Sequence, residues 1–112
     1  MSMGMAWSMV ILAGFIEIIF TSCLNKARDV HGPAAVFWYA GFLIALFTSI
    51  VVMLRATRVL PMGTAYAVWT GIGGAGTVIV GLIVFKEPAE FWRLFFIATL
   101  IGSLVGLKLV SN

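Results

Sequence analysis

Residues 5–25 read MAWSMVILAGFIEIIFTSCLN, an apolar stretch that contains a single charged side chain, Glu17. If Trp7 and Asn25 mark the two membrane interfaces, Glu17 lies roughly 15 Å along a helix and so near the bilayer midplane. Inserting a carboxylate at that depth costs roughly 2.5–3.5 kcal/mol, and such residues usually face a bundle interior or a water-filled cavity where they carry function. We therefore predict that Glu17 is the central functional group.

The composition of the 112-residue chain is that of an integral membrane protein. Hydrophobic residues make up 62% of the chain and charged residues 10%, and the mean hydropathy is +1.15, which is too apolar for a soluble domain of this size. The basic residues are scattered in ones and twos, without the patch that nucleic-acid binding requires, so we expect no nucleic-acid partner. No basic residue precedes Lys26, so we expect the first helix to be retained rather than cleaved as a signal peptide.

Three further apolar stretches follow the first, separated by short segments that each contain one proline and at least one charge. We predict helices over residues 6–25, 34–54, 62–85 and 91–110, each close to the twenty residues that an α-helix needs to cross the hydrocarbon core. The predicted fold class is therefore an all-α integral membrane protein in which residues 1–112 form a single domain of four transmembrane helices.

The basic residues are divided almost evenly between the two membrane faces. They are Arg55, Arg58 and Lys108 on the face that carries both termini, and Lys26, Arg28, Lys86 and Arg93 on the other. Three against four gives little of the bias that normally fixes orientation. This balance favours insertion in both orientations, and hence an antiparallel, dual-topology dimer with a site at the midplane between two inverted copies. The alternative is a single orientation fixed by a partner or by the lipid.

The third predicted helix contains the stretch GTAYAVWTGIGGAGT at residues 63–77. Tyr66, Trp69 and Gly73 recur at i, i+3 and i+7, so one helical face presents two aromatic rings followed by a gap. Trp69 is too deep for the interfacial belt, and its indole N–H needs an acceptor there. A cation site would use both the ring faces and the N–H group. Aromatic packing between helices fits the same spacing.

Glycines in the third and fourth helices suggest two further roles. Gly71, Gly73 and Gly74 lie just after the aromatic rings, where they would allow the helix to bend during alternating access, or would simply permit close helix packing. Gly102 and Gly106 have the GxxxG spacing that lets two helix backbones approach closely, which predicts a dimer contact in the fourth helix.

Polar and small residues near Glu17 complete the predicted site. Gly14, Glu17, Phe20 and Thr21 share one face of the first helix. Gly14 leaves space one turn before the carboxylate, and Thr21 can donate a hydrogen bond either toward the carboxylate or to its own helix backbone. Ser49 lies inside the membrane in the second helix, where its hydroxyl would serve Glu17, a ligand or its own backbone.

The residues together resemble those of the small multidrug resistance transporters, over the whole chain. The resemblance rests on the chain length, the four helices, the lone Glu17, GTAYAVWTGIG at 63–73 and Lys-Glu-Pro at 86–88. It implies an antiparallel dimer in the inner membrane of a bacterium that exchanges protons for a small cation at Glu17, without a cofactor. By the same resemblance, Tyr66 and Trp69 would line the site, Ser49 would hydrogen-bond the carboxylate, and Gly14 would lie on the binding face.

The sequence TGIG at 70–73 and Lys-Glu-Pro are more similar to the guanidinium exporter branch than to the quaternary ammonium branch. Guanidinium exporters typically carry Trp where this chain has Phe20, and Lys where it has Asn25. Phe20 donates no hydrogen bond, so a quaternary ammonium substrate is the alternative to guanidinium or guanidinyl compounds. At Asn25 the chain resembles family members that work as pairs of two different subunits, so a heterodimer is the alternative to a homodimer.

Two other classes of function are alternatives to a transporter. The sequence offers no nucleophile and base pair, metal cluster or phosphate-binding loop, so we expect no enzyme activity and no metal. A membrane assembly subunit without transport activity would use Glu17 for helix association, and it would bind no cation.

Overall fold

The computed structural model describes residues 2–111 and consists of four α-helices within that range. They are α1 (Met3–Asp29), α2 (Pro33–Ala56), α3 (Met62–Ile83) and α4 (Phe91–Ser111). Each is long and apolar enough to cross a membrane. The prediction of an all-α protein with four transmembrane helices is confirmed.

The helix ends follow local capping rather than the limits of the apolar runs. The first helix begins at Met3 rather than residue 6, because the hydroxyl of Ser2 accepts a hydrogen bond from the Met5 N–H at 3.2 Å. It continues to Asp29 rather than residue 25, since the basic residues in its last turn suit a helix C-terminus. The apolar run therefore marks the part of α1 that lies in hydrocarbon, and not the whole helix.

The third helix ends two residues before the predicted position, at Ile83. Lys86 adopts a left-handed backbone conformation, with φ of 54°, and the Glu87 N–H then turns back to the Gly81 carbonyl at 2.9 Å. The Glu87 carboxylate also pairs with Arg93 at 2.6 Å. The Lys-Glu-Pro motif at 86–88 thus closes α3 and connects it to the start of α4.

The four helices form a slab with α1 at its centre. The first helix packs along α2 and against α3, while α4 packs against the outer side of α3. The slab measures 46 × 34 × 16 Å, and between residues 91 and 110 no side chain is buried. The core joins α1, α2 and α3 near the membrane face that carries the termini, and comprises Ala6, Trp7, Val10, Ala13, Met53, Ala56, Leu60, Ala65 and Val68.

The side chain of Trp7 belongs to this core and does not face lipid. It is 3% exposed, and the ammonium group of Lys108 in α4 lies 5.3 Å from the centroid of its ring. An interfacial tryptophan would normally present its ring to the head groups. Trp7 does mark the end of the hydrophobic span, but its ring packs in the core with residues of α1, α2 and α3.

Candidate functional site

The site is built on the contact between α1 and α3. The pairs Gly14–Ile72, Glu17–Gly73 and Thr21–Thr77 advance together along both helices, so the two helices run in the same direction. Ile72 covers Gly14, where an added Cβ would lie 2.8 Å from the isoleucine. Glycine is therefore required where the two backbones approach each other.

The Glu17 side chain lies directly against the backbone of Gly73. A Cβ at residue 73 would overlap the Glu17 carboxyl group, so Gly73 provides the space that the carboxyl occupies. One carboxyl oxygen, Oε1, is buried and has no hydrogen-bond partner among the described residues. Leaving a buried polar atom unpaired is costly, and far more so if the group is charged. The arrangement suits a carboxyl group whose partner is a proton, a cation or a second protein chain.

One turn toward the termini, a chain of hydrogen bonds joins three helices. The Trp69 indole N–H in α3 donates to the Ser49 hydroxyl in α2 at 2.8 Å, and Ser49 donates to the Ala13 carbonyl in α1 at 2.7 Å. Ser49 is fully buried. In a regular α-helix the Ala13 carbonyl also accepts the N–H of Glu17. The hydrogen bonds thus hold the α1 backbone at the residue that carries the carboxylate.

This arrangement identifies the acceptor that Trp69 was expected to need, and it changes the role expected for Ser49. The resemblance implied a hydrogen bond from Ser49 to the Glu17 carboxylate, whereas the single hydroxyl proton of Ser49 goes to Ala13. The physical reason is that a carbonyl on the neighbouring helix lies within reach. In this structure Ser49 therefore contacts the α1 backbone at the carbonyl one turn before Glu17, and not the carboxyl group.

One turn in the other direction, two threonines connect α1 and α3. The Thr21 hydroxyl lies 3.0 Å from both the Glu17 and Ile18 carbonyls and 2.6 Å from the Thr77 hydroxyl. Of its two expected fates, Thr21 follows the bond to its own backbone. Thr77 was not among the predicted site residues. Its position four residues after Gly73, on the face that also carries Trp69, was the signal that could have identified it.

Tyr66 lies at the edge of the site and is largely uncovered. Its side chain is 54% exposed, and its ring is tilted by 55° to the Trp69 ring with centroids 5.8 Å apart. The adjoining surface of α3 consists of the exposed residues Ala67, Thr70 and Gly74. The two predicted aromatic rings therefore come together beside a strip of small residues that the single chain leaves open.

Phe20 is not brought into the contact between Glu17 and Gly73. It is buried against α2, where its ring meets that of Phe42 edge to face at 5.8 Å. The sequence placed Phe20 on the same face as Glu17 and Thr21. The structure separates them, because Glu17 and Thr21 face α3 while Phe20 faces α2.

The glycines that were predicted as hinges are surrounded in three different ways. Gly73 accommodates Glu17, and Gly71 accommodates Leu104 of α4, with 2.6 Å from an added Cβ to the leucine. Gly74 has no neighbouring atom of the described residues within 4 Å of such a Cβ. Because α3 is continuous from Met62 to Ile83, bending at these glycines stays a prediction.

Gly102 and Gly106 lie on a face of α4 that no described residue covers. An added Cβ at either position would have no atom within 4 Å in the part of the chain that the structure describes. A dimer contact at these residues stays a prediction, and the structure leaves their face available for one.

Comparisons with known proteins agree with the resemblance. A family model described as Small Multidrug Resistance protein matches residues 5–100. A probable guanidinium efflux system subunit GdnD of Bacillus licheniformis is 42% identical over 107 residues, covering 96% of this chain and 100% of the relative. A guanidinium exporter of Yersinia pseudotuberculosis is 36% identical with the same coverage. A probable guanidinium efflux system subunit GdnC of Bacillus licheniformis is 39% identical over 96% of this chain and 94% of the relative.

Proposed function

The chain belongs to the small multidrug resistance family, and on this basis we propose that it exports guanidinium or guanidinyl compounds in exchange for protons. The names of its relatives support the substrate class. The observation that carries the proposal is the Glu17 carboxyl group, which has a buried oxygen without a partner inside an apolar protein. Since the relatives come from bacteria, we place the protein in the inner membrane of a bacterium as a multi-pass protein.

The proposed chemistry is competition between a proton and a cation for the same carboxyl group. When Glu17 is protonated it is neutral and needs no counter-ion. When it is ionised it can hold a guanidinium, whose planar N–H groups form charge-assisted hydrogen bonds with carboxylate oxygens. The rings of Tyr66 and Trp69 would pack against the cation. Exchange is coupled because the empty, charged site rarely reorients across the membrane.

The proposed functional unit is an antiparallel dimer of four-helix domains, each comprising residues 1–112. A slab 16 Å thick does not enclose the site on all sides, and Tyr66 and the adjoining small residues of α3 are uncovered. An inverted second copy would cover this strip and bring a second Glu17 into the same cavity. Close packing at small residues is how helices associate in lipid, and Gly102 and Gly106 would supply a second contact.

Access would alternate as the two copies exchange conformations around the paired carboxyl groups. Bending of α3 near Gly71, Gly73 and Gly74 would open the site to one membrane face at a time. Gly14, Phe20, Thr21 and Ser49 would shape and support the site without contacting the transferred proton.

Reconstitution in proteoliposomes tests this proposal. We expect wild-type protein to drive guanidinium uptake with a proton gradient and the Glu17→Gln variant to lose this activity, because an amide cannot exchange a proton or balance a cation. Glu90→Gln is the matched control, since Glu90 is an exposed carboxylate outside the spans. Coupled uptake by Glu17→Gln at the control rate would contradict the mechanism.

The chain could instead form one half of a heterodimer, a candidate that the subunit names of two relatives favour. Purified chain alone should transport if the homodimer is sufficient. Transport that appears only when a second subunit is co-expressed would replace the homodimer by a heterodimer, with the role of Glu17 unchanged.

The substrate itself can be tested by tryptophan fluorescence, because Trp69 lies within the proposed site. Guanidinium should change the emission at lower concentration than a bulky quaternary ammonium ion does. The opposite order would assign the chain to multidrug cation export.

A further inference from the structure

An apolar groove that Glu17 does not line lies between α1, α3 and α4. Its lining includes Trp7, Ile11, Phe15, Ile72, Ile101 and Leu104, and every lining residue except Lys108 is apolar or glycine. The function proposed above does not use this groove.

The length of the groove suits a lipid acyl chain. Along α1 it extends from Trp7 to Ile18, about 16 Å at the rise of an α-helix and close to half of the roughly 30 Å hydrocarbon core. A lipid acyl chain, which spans one leaflet, fits this length.

The charge at one end of the groove indicates which lipid it would hold. Lys108 is in the last turn of α4, at the membrane face that carries the termini, and it is the only charged residue in the lining. No carboxylate among the described residues lies within 4.0 Å of its ammonium group. A lysine near the membrane surface attracts anionic lipid head groups.

Trp7 adds a second polar group at the same end. Its Nε1 atom is buried and has no hydrogen-bond partner among the described residues. A buried indole N–H usually has an acceptor. The ester carbonyl of a phospholipid lies at the depth where the head group meets the acyl chain, which is the level of Trp7 and Lys108.

We propose that this groove binds one acyl chain of an anionic phospholipid whose head group pairs with Lys108. The lipid fills the space between α4 and the α1–α3 pair, which protein side chains leave open. The proposal is independent of the transported substrate, and its test requires no transport activity.

Quenching of Trp7 by phospholipids brominated on the acyl chain tests the proposal. The contribution of Trp7 is the difference between wild-type protein and the Trp7→Phe variant. We expect brominated phosphatidylglycerol to reach half-maximal quenching of Trp7 at a roughly fivefold lower mole fraction than brominated phosphatidylcholine, the preference that one lysine provides. Equal mole fractions for the two lipids would overturn the charge pairing.

Substitutions and salt show whether the preference for the anionic lipid comes from Lys108 or from basic residues at this membrane face in general. Lys108→Gln should abolish the preference and Lys108→Arg should keep it. The matched control Arg55→Gln should also keep it, because Arg55 ends α2 on the same membrane face but outside the groove. If Lys108→Gln does not fold, raising the salt concentration should weaken the wild-type preference. Failure of both brominated lipids to quench Trp7 would show that protein, not lipid, fills the groove.

Discussion

The contact between α1 and α3 and the outer face of α4 both contain glycines at helical spacing, but they use them differently. The space beside Gly14 is filled by Ile72, and the space beside Gly73 is filled by the Glu17 carboxyl group. Gly102 and Gly106 on α4 meet nothing in the described part of the chain. The first two glycines complete a contact within one chain, whereas the face of Gly102 and Gly106 is left open by the described chain. In the dimer proposed above, each copy would build its half of the site by itself, and the second copy would enclose it.

Replacing Gly73 by alanine should have the largest effect among these variants, because it changes a glycine that the Glu17 carboxyl contacts. The added methyl group would displace the Glu17 carboxyl, and overpacking of this kind costs about 1–3 kcal/mol. We expect guanidinium affinity to fall roughly tenfold or more in a tryptophan fluorescence titration. Gly63→Ala in the same helix is the control, because no described atom lies within 4 Å of its added Cβ. Equal affinities for the two variants would contradict the role of Gly73.

Replacing Gly102 and Gly106 together by leucine should leave each copy folded but weaken the contact between two copies. Because nothing in the described chain contacts these positions, each copy should fold as before, while the close approach of two α4 helices is blocked. We expect normal helix content by circular dichroism and a shift from dimer to monomer by light scattering in detergent. A dimer of unchanged stability would place the contact elsewhere on the slab.

Ser49→Ala should have a smaller effect that is specific to the site. It removes the acceptor of the Trp69 indole N–H and the donor to the Ala13 carbonyl, a loss of about 1 kcal/mol of unfolding free energy. We expect lower thermal stability and a shift in Trp69 emission. The control is Thr48→Ala, whose hydroxyl bonds to the Ile44 carbonyl of its own helix on the exposed side. Equal shifts for both variants would mean that the three-helix hydrogen bonds contribute nothing specific.

Thr77→Val should have the smallest effect, because it removes one hydrogen bond with little change in shape. The bond between Thr77 and Thr21 joins α1 to α3 one turn beyond Glu17, and such bonds in membrane proteins contribute about 0.6 kcal/mol on average. We expect a loss of stability of this order, measured by denaturation in detergent. Thr99→Val, at a hydroxyl bonded within α4, should have no effect, and the same loss there would contradict a specific role for Thr77.

The sequence predicted much of the fold and part of the site. The four spans and the family resemblance are confirmed by the structure and by the family match. Trp69 was expected to need a buried acceptor, and the structure identifies that acceptor as the Ser49 hydroxyl. The family resemblance had implied a hydrogen bond from Ser49 to Glu17. The sequence did not identify Thr77, and it did not show that the Phe20 ring turns to α2 or that the Trp7 ring is buried in the core. These three points concern the same question, namely which neighbouring helix each side of α1 or α3 meets.

What the sequence determined by itself is the set of properties that each helix has alone. A backbone in lipid must satisfy its own hydrogen bonds, so twenty apolar residues define a spanning helix, and the cost of a carboxylate at its centre makes Glu17 stand out. The tertiary structure decided the pairing of helix faces. Helical periodicity shows which residues of one helix share a side, but the rotation and register between helices depend on how many side chains pack at once. Only that packing placed the Glu17 carboxyl against Gly73 and the Ser49 hydroxyl on the Ala13 carbonyl, one turn before Glu17.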